Sequence, residues 1–303
     1  MNILIPNATS PKNIGDQAML ESLLVLIRKA KPKSRITIHS VDPAMQKKSL
    51  SGVSVSHSLL SWLMFEDTRL AARAGRLLIL FVQLCFFGTT IDKRLKEILS
   101  AYVRADIILF VGNGYVRSNR GVKQSVFLLL NLLPFLIAKN AKKRVIVSPM
   151  GFGPFAYRWQ TKAAARVLSF VDILYVRESI SLRLARQAGL TQARVSADHA
   201  FLFSLMRGRH KSDGIGVALR NWLPYKKQRA FEEEIARALI HFATERDQQV
   251  QLIVQVHASE HNDKDREVAK RVYELLRKAN VSVSVPIVLH SPERRSKYTA
   301  VVQ

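Results

Sequence analysis

Acidic side chains are scarce in this chain: 23 Asp and Glu stand against 47 Lys and Arg in 303 residues, a formal net charge of +24. So basic a surface draws polyanions, whether nucleic acid, anionic lipid or a phosphorylated substrate. The basic residues are scattered, without an arginine-rich tail, zinc-finger spacing or an aromatic RNA-binding signature, so nucleic acid is not an expected partner. Cysteine is nearly missing. The single Cys85 excludes a disulfide framework, which fits a reducing, cytoplasmic compartment, and its neighbours Leu84 and Phe86 argue against a nucleophile. No G-x-S-x-G elbow is present, and the first loop lacks a full G-x-G-x-x-G dinucleotide fingerprint.

Long apolar runs are lacking too. Leu77 to Gly88 is too short to cross a bilayer core, and Val126 to Ala138 is short and interrupted by Asn131 and Pro134. Both read as buried helices of an α/β fold. The second reading is interfacial docking on an anionic membrane, helped by Arg76, Arg94, Lys139, Lys142 and Lys143. Met1 to Pro6 has no basic stretch of the kind that opens a secretory signal. Metal ligands are poorly arranged: His257 and His261 stand four apart, but the first should end a strand. Asp263-Lys264-Asp265 opens a helix, where the dipole favours carboxylates anyway, so no metal site is expected.

What is present is an alternation of short apolar strands and amphipathic helices, the pattern of a parallel sheet. Met1–Pro6 reads as a strand, Asn7–Asp16 as a loop, and Gln17–Ala30 as a helix with apolar positions 19, 20, 23, 24 and 27 and Asp16 as N-cap. Further strands are expected at 35–39, 106–111, 144–147 and 172–176, with helices up to Lys139, over 159–170 and up to Ala188, where Gly189 suits the C′ position. Ser204 to Asp213 reads as a linker. A second series follows: strands at 215–219, 250–255 and 281–289, and helices at 230–244 and 263–278, with Glu232 to Glu234 complementing a helix's positive end. The expected organisation is an N-terminal Rossmann-like domain (1–203), a linker (204–213) and a partial Rossmann-like domain (214–303). With only about three strands the second domain reads as incomplete.

The loops at strand ends carry the candidate chemistry, because open α/β sheets place ligands there. Ser148 to Pro154, with Gly151 and Gly153, hands a strand over to a helix whose free N–H groups would face the turn and suit an anion. In Asn13-Ile14-Gly15-Asp16 the backbone offers a phosphate or sugar cradle, or else a capped turn. Gly112-Asn113-Gly114 follows an apolar strand directly, with Arg117 and Arg120 beyond it. Arg177-Glu178-Ser179 offers either a guanidinium fork for a carboxylate or phosphate, or a surface ion pair with Ser179 as helix N-cap. Arg220 repeats the arrangement after Gly214 to Leu219.

Taken in order, Asn13-x-Gly15-Asp16, the glycine loop after D-I-I-L-F-V, Gly151-Phe-Gly-Pro154, Arg177-Glu-Ser179, Ala197-Asp198-x-Ala200-Phe201-Leu202 and G-x-G-V-x-L-Arg220 resemble the polysaccharide pyruvyl transferase family of bacterial surface-glycan synthesis. The resemblance implies an α/β protein of two doubly wound domains, like the GT-B glycosyltransferases. It implies phosphoenolpyruvate as donor, no further cofactor, and a sugar or lipid-linked oligosaccharide as acceptor. By position, Asn13, Gly15 and Asp16 line the acceptor side, and Arg177 and Arg220 are the cations for the donor. His199 stands where the family's A-D-P-A-F-L pattern has proline. The family's Arg-Leu-His element, whose histidine is the expected acid/base, would fall beyond Gln303, so no catalytic residue is assigned and the chain reads as truncated. Two other functions fit the same loops: a GT-B glycosyltransferase using a nucleotide-sugar, and a basic module that docks on the inner face of the membrane.

Overall fold

The protein is described here by a computed structural model covering residues 1–64, 75–77, 79–80, 92–202, 214–246, 248–254, 256 and 265–288. Cys85, most of the 77–88 run, the 204–213 linker, His257, His261, Asp263 and the segment after residue 288 lie outside these residues. Two compact units emerge, residues 1–10 with 16–201, and residues 11–15 with 202–303.

The first unit runs β1 (Asn2–Ala8), α1 (Ile14–Ala30), β2 (Arg35–Ser40), α2 (Pro43–Ser49), β3 (Ser54–His57), α3 (Leu59–Met64), α4 (Lys93–Arg104) and β4 (Ile107–Phe110). It continues through β5 (Val116–Ser118), α5 (Val122–Asn140), β6 (Arg144–Met150), β7 (Phe152–Phe155), α6 (Arg158–Leu168), β8 (Ile173–Val176), α7 (Ser179–Gln187) and β9 (Ala193–Val195). Seven strands form a parallel sheet in the order β3-β2-β1-β4-β6-β8-β9. Alternate residues of one strand enter different cores. Leu4, Ile108 and Phe110 join one apolar cluster while Ile3, Ile5, Leu109 and Val111 join another. Period-2 alternation with both faces apolar is what a sheet covered by helices on both sides requires. The order reverses between β1 and β4, so the crevice beyond their carboxyl ends is the switch point of the sheet. There the Asn7 amide closes the gap left by the diverging strands, donating to the Val111 carbonyl (3.0 Å) and accepting from the Val111 N–H (2.9 Å).

Helix α1 buries Met19, Leu20, Leu23 and Ile27, as its apolar spacing demands. It begins at Ile14, three residues earlier than expected, so Asp16 lies in the first turn and is not the N-cap. Its carboxylate instead accepts from the Thr9 hydroxyl at 2.9 Å. The 148–154 stretch is a further correction. β6 continues through Pro149 to Met150, and Phe152–Phe155 is a strand paired parallel to β5. Helix α6 therefore starts well beyond the turn, and its first turn is occupied by the Gln160 side chain, which accepts from the Tyr157 N–H at 3.1 Å.

A buried histidine has a measurable consequence. His39, at the end of β2, packs its ring 5.9 Å from Tyr102, and no described residue hydrogen-bonds either ring nitrogen. Burial lowers its pKa to about 4. Its folded value lies below the unfolded one, so below about pH 6.5 the unfolded chain binds a proton that the folded chain refuses, and stability falls with pH until about 4. Between pH 7.5 and 5 this single site should cost about 2 kcal/mol. Denaturant titrations at both pH values should show that His39→Leu loses that increment relative to the parent. An equal pH slope in the two proteins would refute it.

The second unit has three described parallel strands, β10 (Gly214–Ala218), β11 (Gln249–Val254) and β12 (Val283–Val288), with helices α8 (Tyr225–Arg246) and α9 (Asp265–Lys278). α8 starts five residues before the expected Ala230. Glu232 consequently sits a full two turns inside it, where its dipole no longer acts on it. Its side chain is buried and accepts two bonds from Arg271 of α9, at 2.7 and 2.6 Å. Desolvation pushes its pKa up, but bonds from Arg271 and Gln228 outweigh that and hold it below the ordinary carboxylate value. The folded value being depressed, this stabilisation is present above the ordinary value and lost as pH falls through the folded one. Arg271→Ala, which leaves the buried carboxylate only its bonds from Gln228 and Arg229, should destabilise this unit by about 3 kcal/mol. The check is chemical denaturation at neutral pH, where a loss under about 1 kcal/mol would place the pair among weak surface bridges.

Candidate functional site

In the first unit four strand-end loops meet around Arg177. Its N–H donates to the Met150 carbonyl (3.0 Å), which carries the end of β8 alongside the end of β6. The guanidinium passes over two glycines: a Cβ built on Gly114 would lie 3.8 Å from Nη2, and one on Gly151 3.7 Å from it. Gly151 in turn donates its N–H to the Asn113 carbonyl at 2.9 Å. The glycine loop after β4, the turn after β6 and Arg177 after β8 are thus one structure. Gly112 has a separate task. A Cβ there would stand 1.9 Å from the Pro149 carbonyl oxygen, so the glycine lets two backbones pass.

The ion pair with Glu178 that the sequence offered as one reading of Arg177 is formed. Its Nε bonds Glu178 at 3.1 Å and its Nη1 approaches Asp198 at 3.4 Å, while the side chain keeps 37% exposure. Glu178, not Ser179, precedes the first turn of α7, and it accepts from the Ser181 hydroxyl. Ser181 also receives the Phe152 N–H at 2.9 Å. The helix whose first turn meets the glycine turn is therefore α7 and not α6, because β7 intervenes. Asp198 accepts from the Ala200 N–H (2.9 Å), so it is fixed by its own turn. His199 beside it is lowered by burial, partly offset by Asp198.

Asp16 reaches the same end of the sheet. Tyr115, next to Gly114, has its hydroxyl pKa raised by burial, then by the Asp16 carboxylate and by Tyr102. Its OH donates to the Val111 carbonyl at 3.3 Å, beneath Asn113, which is itself buried. Among the described residues, the Asp16, Glu178 and Asp198 carboxylates and the Arg177 guanidinium thus lie at the carboxyl ends of the strands. Tyr115 and Asp198 were not singled out as site residues from the sequence; only the order of motifs around Asp198 hinted at a role.

Asn13 and Gly15 group with the second unit, where Asn13 forms an isolated antiparallel bridge with Val256. Arg220 leaves β10 with 53% side-chain exposure and its Nε 3.5 Å from Asp265. The loop is pinned from two helices. Asp265 accepts from the Asn221 N–H at 2.8 Å, and Gln228 accepts from Trp222 and Leu223 and donates to the Arg220 carbonyl. Asp265 is thus buried and structural. Among the described residues no group of three His, Cys, Asp or Glu is placed to hold a metal ion.

Comparison with known proteins adds three findings. The family model "Polysaccharide pyruvyl transferase" matches residues 13–295. Among solved structures, UDP-GlcNAc 2-epimerase from Neisseria meningitidis superposes with a TM-score of 0.54 at 13% identity, over 99% of this chain and 75% of that one. A Listeria monocytogenes protein described as a UDP-N-acetylglucosamine 2-epimerase gives 0.54 at 12% identity, over 99% and 71%. These likenesses place the fold in the GT-B-like class of α/β proteins. No curated protein matches the chain.

Proposed function

We propose that this chain, which belongs to the polysaccharide pyruvyl transferase family, transfers a pyruvyl group from phosphoenolpyruvate to a sugar of a bacterial surface glycan as a cyclic ketal. One sugar hydroxyl adds to C2 of the enol phosphate while a proton goes to C3, making the methyl group. A second hydroxyl displaces phosphate, which leaves with the remaining proton. The balance needs no redox partner.

One observation supports placing the acceptor in the first unit. In a protein of net charge +24, Asp16, Glu178 and Asp198 stand, among the described residues, at the switch-point end of the first unit's sheet, where Arg177 bridges the last two. Such a cluster repels a trianionic donor but offers acceptors to sugar hydroxyls, which carry donors without charge. We assign the acceptor sugar to these carboxylates, with Arg177 holding two of them and the glycine turns admitting the ring. In the second unit Arg220, Lys226 and Lys227 are exposed cations. Arg177, a donor cation by motif order, becomes on this reading a positioning residue for the acceptor.

The test is incubation with carbon-labelled phosphoenolpyruvate and a panel of free and lipid-linked sugars. Release of phosphate matched by acid-labile label on one sugar is the expected result. No transfer to any acceptor, together with a melting point raised by UDP but not by phosphoenolpyruvate, would overturn the reading in favour of a nucleotide-sugar transferase.

A further inference from the structure

Between Asp106 and Asp172 the chain contains no acidic residue, while ten Lys and Arg fall in that interval. The structure shows what this segment builds at one place. Gln160 at the start of α6 is buried and donates to Ser118 and Ser125, both at 3.0 Å, which binds β5 and the first turns of α5 and α6 side by side. Around this polar pin the apolar side chains face outward. Val122 is 81% exposed, and Val126, Phe127, Leu129, Tyr157 and Trp159 are each more than 40% exposed. Val122, Val126 and Leu129 follow i, i+4, i+7 spacing, a single stripe along the helix. The second half of α5 behaves oppositely, with Leu130, Leu132, Phe135 and Ile137 in the core and Phe135 stacked on Phe110 at 3.8 Å. The helix is therefore anchored at one end and presents an apolar face at the other. Arg117, Arg120, Lys123, Arg158 and Lys162 are exposed in the same segments.

We propose that this surface, the first turns of α5 with the start of α6, docks the protein on an anionic lipid bilayer. An exposed apolar patch ringed by cations fits a lipid surface: the side chains enter the headgroup boundary, Tyr157 and Trp159 sit at its polar edge, and Lys and Arg meet lipid phosphates. The absence of any acid from residue 107 to 171 removes the repulsion such a surface would otherwise meet. This places the contact on different residues from those the sequence suggested, since Lys139 lies at the core-anchored end of the helix. It stands apart from the choice of donor and acceptor.

The test uses the full chain with vesicles of phosphatidylcholine alone or mixed with phosphatidylglycerol. Co-sedimentation with the mixed vesicles only, weakened by salt, is expected. Val122→Asp with Val126→Asp, and separately Arg120→Glu with Lys123→Glu, should each weaken binding on the order of tenfold or more. Brominated acyl chains should quench part of the tryptophan emission, and Trp159→Phe should remove that part. Should the aspartate pair fail to fold, the charge-reversal pair, at fully surface sites, decides. No binding to the mixed vesicles, binding unchanged in the charge-reversal pair, or binding of duplex nucleic acid without vesicle binding overturns the proposal.

Discussion

Alanine at position 112 should destabilise the first unit by about 4 kcal/mol, a loss of the size that follows when a substitution collides with something that cannot move aside. The obstacle is the Pro149 carbonyl oxygen, 1.9 Å from where the new methyl carbon would stand. A flexible side chain would swing away. This oxygen belongs to β6, whose neighbours on both sides are parallel strands of the same sheet, so relief requires β4 and β6 to separate. Separation would also strain the Gly151–Asn113 bond that joins the two glycine turns. Denaturant unfolding measures the loss, with Gly121→Ala as a comparison: a Cβ there meets no atom within 4 Å, and any cost comes from its φ of +112°. A change below about 1 kcal/mol for Gly112→Ala would mean that the close approach is absent in solution.

Loss of Arg177 should show in turnover far more than in stability. With its side chain 37% exposed, its bridges to Glu178 and Asp198 contribute little to folding, roughly 0–1 kcal/mol. On the proposed reading it fixes two carboxylates in a geometry matched to sugar hydroxyls, and misplacement of such groups costs on the order of 100-fold. Arg177→Ala should therefore lower kcat/KM for the acceptor about 100-fold while the KM for phosphoenolpyruvate moves little. Arg177→Lys should recover only part of the loss, since an ammonium cannot span both carboxylates as a planar fork does. A large rise in the phosphoenolpyruvate KM instead would return Arg177 to the donor site, and an unchanged kcat/KM would remove it from the site altogether.

The alternation of strands and helices was legible because it is a local property. Apolar positions 19, 20, 23 and 27 repeat at helical spacing, and each is buried in α1. Ile107 to Phe110 reads as a strand with both faces apolar, and its residues do enter two cores. Boundaries failed where a distant partner set them. Asp16 has the look of an N-cap, yet Thr9 takes its carboxylate and the helix starts earlier. Ser148 to Pro154 carries glycine and proline enough for a loop, but β5 gives Phe152–Phe155 a partner strand, which is a pairing between segments more than thirty residues apart. Glu232 resembles a helix-start charge, and its role as a buried ion-pair partner depends on Arg271, thirty-nine residues away.

By itself the sequence determined the fold class, the strand-end loops and the residue types in them, since backbone propensity, periodicity and motif order act over short stretches of chain. Tertiary structure alone decided which charges share a neighbourhood. Arg177 reads in the sequence either as a fork for an anion or as a surface partner of Glu178; folding sets Asp198 beside it as well and brings Asp16 to the same end of the sheet. The same holds for α5, whose packing leaves Val122, Val126 and Leu129 exposed and buries Leu132, Phe135 and Ile137. Electrostatic interaction and burial both depend on distance through space, and separation along the chain does not report it.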